Sequence, residues 1–168
     1  LSMDGVKILE LQERAAGGAV TADQIRAQLV EHCKDFKTSW VKLGQALYPV
    51  WKDKLFFAWG FDKFEYYTQE ELGLKKETAL KLLKTYFFME QNEPAYLKEE
   101  FTKDREAARV PGCDEVNVLR LARNRKELNK DDYYKLHKAV FEDGKDASSV
   151  RKDLTAIMRE RKDVDPDE

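Results

Sequence analysis

Four lysines follow Gly73 within a short segment that contains a single acidic residue, Glu77. Lysine ammonium groups contact phosphate oxygens in nucleic-acid complexes, and the free N–H groups of a helix's first turn also attract anions. The preceding segment, residues 62–72, instead carries four acidic residues and one lysine. This contrast predicts that the segment after Gly73 binds a polyanion, through Lys75, Lys76, Lys81 and Lys84.

Two helices are predicted on either side of Gly73. Apolar residues after the glycine recur at i, i+3, i+4 and i+7, which predicts a helix from Lys75 or Lys76 to about Gln91. A shorter helix before the glycine is expected to be capped by Asp62. Glycine tolerates the left-handed backbone of a tight turn, so the pair is predicted to form a helix-turn-helix. The apolar residues of the two helices are Phe64, Tyr67 and Leu72, then Ala79, Leu82, Leu83 and Tyr86.

The sequence of residues 59–83, WGFDKFEYYTQEELGLKKETALKLL, resembles a helix-turn-helix type found in uncharacterised bacterial and phage proteins. It is similar to the helix-turn-helix of partition and transcription regulators, and the resemblance covers about residues 55–92. It implies binding of double-stranded DNA in transcription regulation or DNA partition, with the second helix in the major groove. The candidate DNA-binding residues on that helix are Lys75, Lys76, Glu77, Thr78, Lys81 and Lys84.

A second basic stretch lies at residues 116–126, which hold four basic residues and no acidic one. Guanidinium groups suit phosphate and guanine, so Arg120 and Arg123 join the candidate DNA-binding set. An exposed helix face with Glu115 and Glu127 as partners explains the same residues equally well. A plain helical hairpin with solvated lysines is likewise the alternative for residues 61–92, which would make the protein a non-enzymatic interaction module or adaptor.

The remaining pattern predicts an all-α fold, a helical bundle with a central helix-turn-helix and a C-terminal helical subdomain. A break at residues 110–112 is the expected domain boundary. The predicted organisation is a flexible segment 1–20, a helix-turn-helix domain 21–95, a helical linker 96–112, a C-terminal subdomain 113–162 and an acidic disordered tail 163–168.

Individual helix ends can also be predicted from capping residues. Thr21 and Gln24 form a capping box, and Thr38 or Ser39 is expected to begin a second helix that ends near Pro49. In the C-terminal part, helices are expected at about residues 114–128, from Asp131 or Asp132, and from Asp146 or Ser148 after Gly144. Residues 132–150 also repeat the order of residues 62–79, a tyrosine-bearing helix, a glycine and a second helix.

Aromatic residues are concentrated between residues 40 and 88, and seven of them form a dense set. Core packing is the preferred explanation, with stacking on unpaired bases or self-association as alternatives. A homodimer is expected, because two helix-turn-helix units would contact two half-sites. The seven are Trp40, Trp51, Phe56, Phe57, Trp59, Phe87 and Phe88.

Several function classes are disfavoured by the sequence. No phosphate-binding loop, zinc-protease motif or nucleophile elbow occurs, so no catalytic residue, cofactor or small-molecule substrate is predicted. Cys33 and Cys113 form no disulfide framework and no metal-ligand pattern, which favours a reducing, cytoplasmic location. No apolar run is long enough to cross a membrane. The net charge of −2 neither requires nor excludes a nucleic-acid partner.

Overall fold

The computed structural model describes residues 21–98 and 109–163, and within them the chain forms six α-helices and no strand. The predicted all-α helical bundle is therefore confirmed. The segment 1–20 and nearly all of the acidic tail lie outside the described residues. The helices are α1 (Ala22–Lys52), α2 (Phe64–Leu72), α3 (Lys76–Asn92), α4 (Cys113–Arg123), α5 (Lys130–Phe141) and α6 (Ala147–Asp163), with short 3-10 helices at Leu55–Trp59 and Pro94–Leu97.

Helix α1 is one continuous helix of 31 residues, and the prediction of a second helix beginning at Thr38 or Ser39 is wrong. The capping box at Thr21 is present as predicted. The Thr38 hydroxyl instead donates to the Lys34 carbonyl at 2.7 Å, and the Ser39 hydroxyl donates to the Phe36 carbonyl. Hydroxyls that bond back to the preceding turn are satisfied inside a helix, so these residues do not interrupt it.

Helix α3 lies at the centre of the bundle and packs against α1 on one side and α4 on the other. Its contact with α1 is close: a Cβ atom built on Gly44 would lie 2.6 Å from the Tyr86 Cβ. Gly44 therefore allows the backbones of α1 and α3 to approach closely, and it is not part of a turn. Ala79 and Met89, near the two ends of α3, are fully buried.

The last three helices pack around the C-terminal half of α3. Phe88 and Met89 of α3 share one core cluster with Leu119 of α4 and Leu136 of α5. The Trp40 indole N–H of α1 also donates to the Pro111 carbonyl at 3.0 Å. Helix α3 thus contributes to the core on both sides of residues 110–112, where the domain boundary stays a prediction. No helix among the described residues is both long and apolar enough to span a bilayer.

Two helix ends in the C-terminal part differ from the prediction. Helix α4 ends at Arg123 rather than near residue 128, and α5 is capped by Asn129 rather than by Asp131 or Asp132. Asp132 closes the capping box from the third helical position, where its carboxylate accepts from the Asn129 N–H. The physical reason is that Asn129 adopts the extended backbone of an N-cap, which sets the helix start two residues earlier. Asp146 does cap α6, accepting from the Ser149 N–H at 2.8 Å.

The buried Asp132 carboxylate makes the fold sensitive to acid. Arg161 of α6 donates to it in a bidentate pair, at 2.6 and 2.9 Å, and this bond lowers the pKa of Asp132. A lowered folded-state pKa contributes stability that is present above pH ~4 and is lost as the pH falls further. The melting temperature of Asp132→Asn is therefore expected to lie below that of the wild type at pH 7, and the gap should narrow below pH 4.

The neighbouring variant Asp131→Asn is the control, because Asp131 is exposed. Thermal unfolding followed by circular dichroism between pH 3 and 7 measures both. A gap for Asp132→Asn that stayed constant down to pH 3 would contradict the role of the Arg161 pair.

Candidate nucleic-acid interface

The predicted helix-turn-helix is present as α2, a turn at Gly73 and α3. Gly73 has a left-handed backbone, with φ 67° and ψ 21°, and the Leu74 N–H donates to the Thr68 carbonyl at 2.9 Å. Leu74 packs against the cluster that holds Ala79 and Leu82, so it anchors the turn to both helices. The prediction that Asp62 caps α2 is wrong: the N-cap is Lys63, and it makes no side-chain capping bond.

The first turn of α3 faces solvent. Lys75, Lys76, Glu77 and Thr78 are all exposed, and the N-cap residue, Lys75, makes no side-chain bond to the helix start. The Lys76 ammonium group lies 3.9 Å from a carboxylate oxygen of Glu65 in α2, in a loose surface pair whose lysine is exposed. Exposed pairs of this kind contribute little free energy, so Lys76 can exchange Glu65 for another anion.

Lys81 borders a different groove from Lys84, Arg120 and Arg123. Its ammonium group donates to Asp114 at 2.7 Å, and this hydrogen bond raises the pKa of Lys81. Thr78 and Lys81 line a groove that also holds Asp114 and Glu115 at the start of α4. Lys81 therefore already has an anionic partner within its own chain.

Lys84, Arg120 and Arg123 do come together. They line a groove of about 500 Å³ between the end of α1, the middle of α3 and the end of α4. We call it the arginine groove. None of its lining residues is acidic. These residues are Tyr48, Trp51, Leu80, Leu83, Lys84, Phe87, Phe88, Gln91, Asn92, Arg120, Arg123 and Asn124.

Both arginines of the groove are held by neighbours. The Arg120 Nε–H donates to the Asn117 amide oxygen at 2.9 Å, and the same oxygen accepts from the Thr85 hydroxyl. The Arg123 guanidinium lies 5.7 Å from the centre of the Tyr133 ring, within the range of a cation–π contact. Such contacts reduce the conformational freedom that an arginine loses when it binds an anion.

The first-turn lysines of α3 and the arginine groove are separated along the helix and around it. Lys76 and Lys84 are eight residues apart, which corresponds to about 12 Å along a helix axis and a rotation of about 80°. Glu77 and Leu80 lie between them along the axis, so an acidic residue separates the two lysines. The structure therefore brings Lys84, Arg120 and Arg123 together in one groove and places Lys81 in another, beside Asp114 and Glu115.

No protein-family model matches the sequence. No curated protein and no solved structure shows significant similarity to the chain either. The resemblance to bacterial and phage helix-turn-helix proteins, over about residues 55–92, therefore stays a prediction. No group of three or more His, Cys, Asp or Glu side chains could hold a metal ion in the described parts of the chain.

The aromatic residues divide between the core and the surface. Phe56 and Phe88 are buried and Trp40 is half-buried, in agreement with the preferred explanation. Trp51, Phe57, Trp59 and Phe87 are exposed instead. Core packing therefore accounts for only part of the set, and two of the exposed rings line the arginine groove.

The repeat predicted in the C-terminal part has a counterpart in the backbone. Gly144 between α5 and α6 is left-handed, with φ 63°, and the Lys145 N–H donates to the Ala139 carbonyl at 2.9 Å. At Gly73 the corresponding bond, from the Leu74 N–H to the Thr68 carbonyl, also spans six residues. The two turns thus share one conformation, although Lys145 stands where Leu74 anchors the first turn.

Sequence reasoning missed the participation of Tyr48 and Trp51 in the groove and the Asp114 partner of Lys81. No local signal joins Tyr48 and Trp51 to Arg120, because they are separated by about 70 residues and meet only through packing on α3. The sequence did indicate weakly that Asp114 lies at the start of a helix, since acidic residues favour the first turn.

Proposed function

We propose that the chain binds double-stranded DNA through the α2–Gly73–α3 unit, as a non-catalytic protein of bacterial or phage transcription regulation or DNA partition. One observation carries the proposal: helix α3 begins with two exposed lysines, Lys75 and Lys76, and later borders a groove lined by three cations and no acidic residue. A cluster of cations attracts a polyanion and raises its rate of encounter.

The packing of α3 limits how DNA would be contacted. The C-terminal half of α3 packs into the core through Phe88 and Met89, so its first two turns are the part that would enter a major groove. Lys75 and Lys76 would reach base edges or the nearest phosphates, and Lys84, Arg120 and Arg123 would meet the flanking backbone. Lys81 would have to exchange Asp114 for a phosphate, so we assign it a secondary role.

A titration of a fluorescent random-sequence duplex, followed by anisotropy, tests the proposal. Five phosphate contacts would lower the affinity by on the order of 500-fold between 50 and 200 mM salt, through counterion release. Weak binding with no salt dependence would overturn the proposal. The aromatic surface would then favour the alternative function, a helical adaptor for another protein.

We also propose that the protein acts as a homodimer, through an exposed apolar stripe on α1. Leu29, Phe36 and Leu43 recur every seven residues and are 63%, 77% and 39% exposed. Seven-residue spacing of apolar side chains is typical of a seam between two helices, and a second copy of α1 supplies the same spacing. A two-fold dimer would present two α3 helices to two half-sites.

Phe36→Asp is expected to convert a dimer into a monomer, because it places a charge in the centre of the seam. Tyr134→Asp is the matched control, since Tyr134 is an exposed aromatic residue on α5, at 61%. Sedimentation equilibrium gives the mass of each variant. A wild type that is monomeric at 100 μM, or a Phe36→Asp protein that stays dimeric, would contradict this interface.

A further inference from the structure

DNA binding would use the cations of the arginine groove and leaves its aromatic floor unexplained. Tyr48 and Phe87 stack there with ring centres 5.7 Å apart and planes 10° from parallel. Trp51 lies beside Tyr48 at 6.1 Å and is 45% exposed, and Phe87 is 43% exposed. Exposed aromatic side chains gathered in a concave site offer a flat apolar surface to a ligand.

The walls of the groove indicate which charge a ligand would carry. Lys84 on α3 and Arg120 and Arg123 on α4 border the aromatic floor, and no acidic residue lines it. A neutral or cationic ligand would leave these cations without a counter-charge close to an apolar surface. An anionic group placed beside the two guanidinium groups would form charge-assisted hydrogen bonds, which are among the strongest in proteins.

We propose that the arginine groove is a binding site for a small aromatic anion, a planar ring that carries a carboxylate or a phosphate. The ring would stack on Phe87 and Trp51, and the anionic group would bind Arg120 and Arg123. The volume of about 500 Å³ suits such a molecule, because ligand pockets commonly measure roughly 300–1,000 Å³. The site is defined by side chains of the protein alone, so the proposal does not depend on DNA binding.

Three probes separate the contribution of the aromatic ring to binding from the contribution of the charge. 1-Naphthylacetate carries both features, 1-naphthylmethylammonium keeps the ring and reverses the charge, and acetate keeps only the charge. In calorimetric titrations we expect 1-naphthylacetate to bind at least about tenfold more tightly than either of the others. Adenosine monophosphate, compared with adenosine, tests whether a nucleotide phosphate serves as well as a carboxylate.

Variants of the groove test its location. Arg120→Gln with Arg123→Gln is expected to weaken 1-naphthylacetate binding at least about tenfold, because both charge-assisted bonds are lost. Phe87→Ala is expected to weaken it through the lost stacking surface. Arg125→Gln with Lys126→Gln is the control pair, since these exposed cations follow α4 and do not line the groove.

The results of the small-molecule titrations can be interpreted independently of the duplex titration. Binding that follows the groove variants and not the control supports the site, whether or not the protein binds DNA. The proposal is overturned if the wild type binds neither 1-naphthylacetate nor adenosine monophosphate at 10 mM. It is also overturned if the anionic and cationic naphthyl probes bind equally, or if the control pair weakens binding as much as the groove pair.

Discussion

Replacing Lys75, Lys76 and Lys84 together with alanine is expected to weaken duplex binding on the order of 100-fold at 0.1 M salt. Each lysine is exposed, and together they span the first turn of α3 and the edge of the arginine groove. Loss of three phosphate contacts removes three released counterions, so the slope of log K against log salt should also fall by about 2.7. The fall in slope separates lost phosphate contacts from a general loss of fold.

A matched triple variant controls for net charge. Lys130, Lys135 and Lys152 are exposed lysines on α5 and α6, far along the chain from the helix-turn-helix. Their replacement with alanine removes the same charge and should change the affinity only a few-fold, mainly through long-range attraction. Equal losses in the two triple variants would mean that the protein attracts DNA by its overall field and not through α3.

Gly44→Val is expected to lower the free energy of unfolding by about 3 kcal/mol. The new Cβ would lie 2.6 Å from the Tyr86 Cβ and 2.9 Å from its Cγ, closer than unstrained atoms approach. The Tyr86 Cβ is fixed to the backbone of α3, so the contact is relieved only if α1 and α3 move apart. Replacement of a glycine by valine would by itself favour the helix by a few tenths of a kcal/mol. A net loss in the free energy of unfolding is therefore due to the clash with Tyr86.

Ala46→Val, two residues along α1, is the comparison. Ala46 is exposed, and the change should cost less than about 1 kcal/mol through helix propensity alone. Urea denaturation gives both free energies. If the two valine variants unfolded at the same urea concentration, the close approach of α1 and α3 would not limit the packing of the bundle.

The helices around Gly73 could be predicted from the sequence because their signals are local. The apolar stripe from Ala79 to Tyr86 and the glycine that ends α2 act over one or two turns, and both lie where the pattern predicts them. The continuity of α1 could not be predicted in this way. Thr38 and Ser39 are equally suited to capping a helix and to bonding back within one, and only the packing of α1 across the bundle decides between them.

The candidate site was only partly predictable, for a related reason. The residue types of Lys84, Arg120 and Arg123 identified them as cations suited to an anionic partner, but their common groove depends on how α4 crosses α3. The separation of Lys81 depends on the same crossing, because Asp114 at the start of α4 is the partner that holds it. Charge counted along one helix cannot show which cations a neighbouring helix will neutralise.

Helix α3 begins in solvent at Lys76, and its last two turns are packed into the core through Phe88 and Met89. Its exposed end is therefore rigidly attached to the rest of the bundle. The helix cannot tilt to follow an irregular duplex unless the whole bundle turns with it. If the protein binds DNA as proposed, most of the adjustment falls to the DNA. Sequences that bend or widen their grooves easily would then be preferred even at base pairs that no side chain touches.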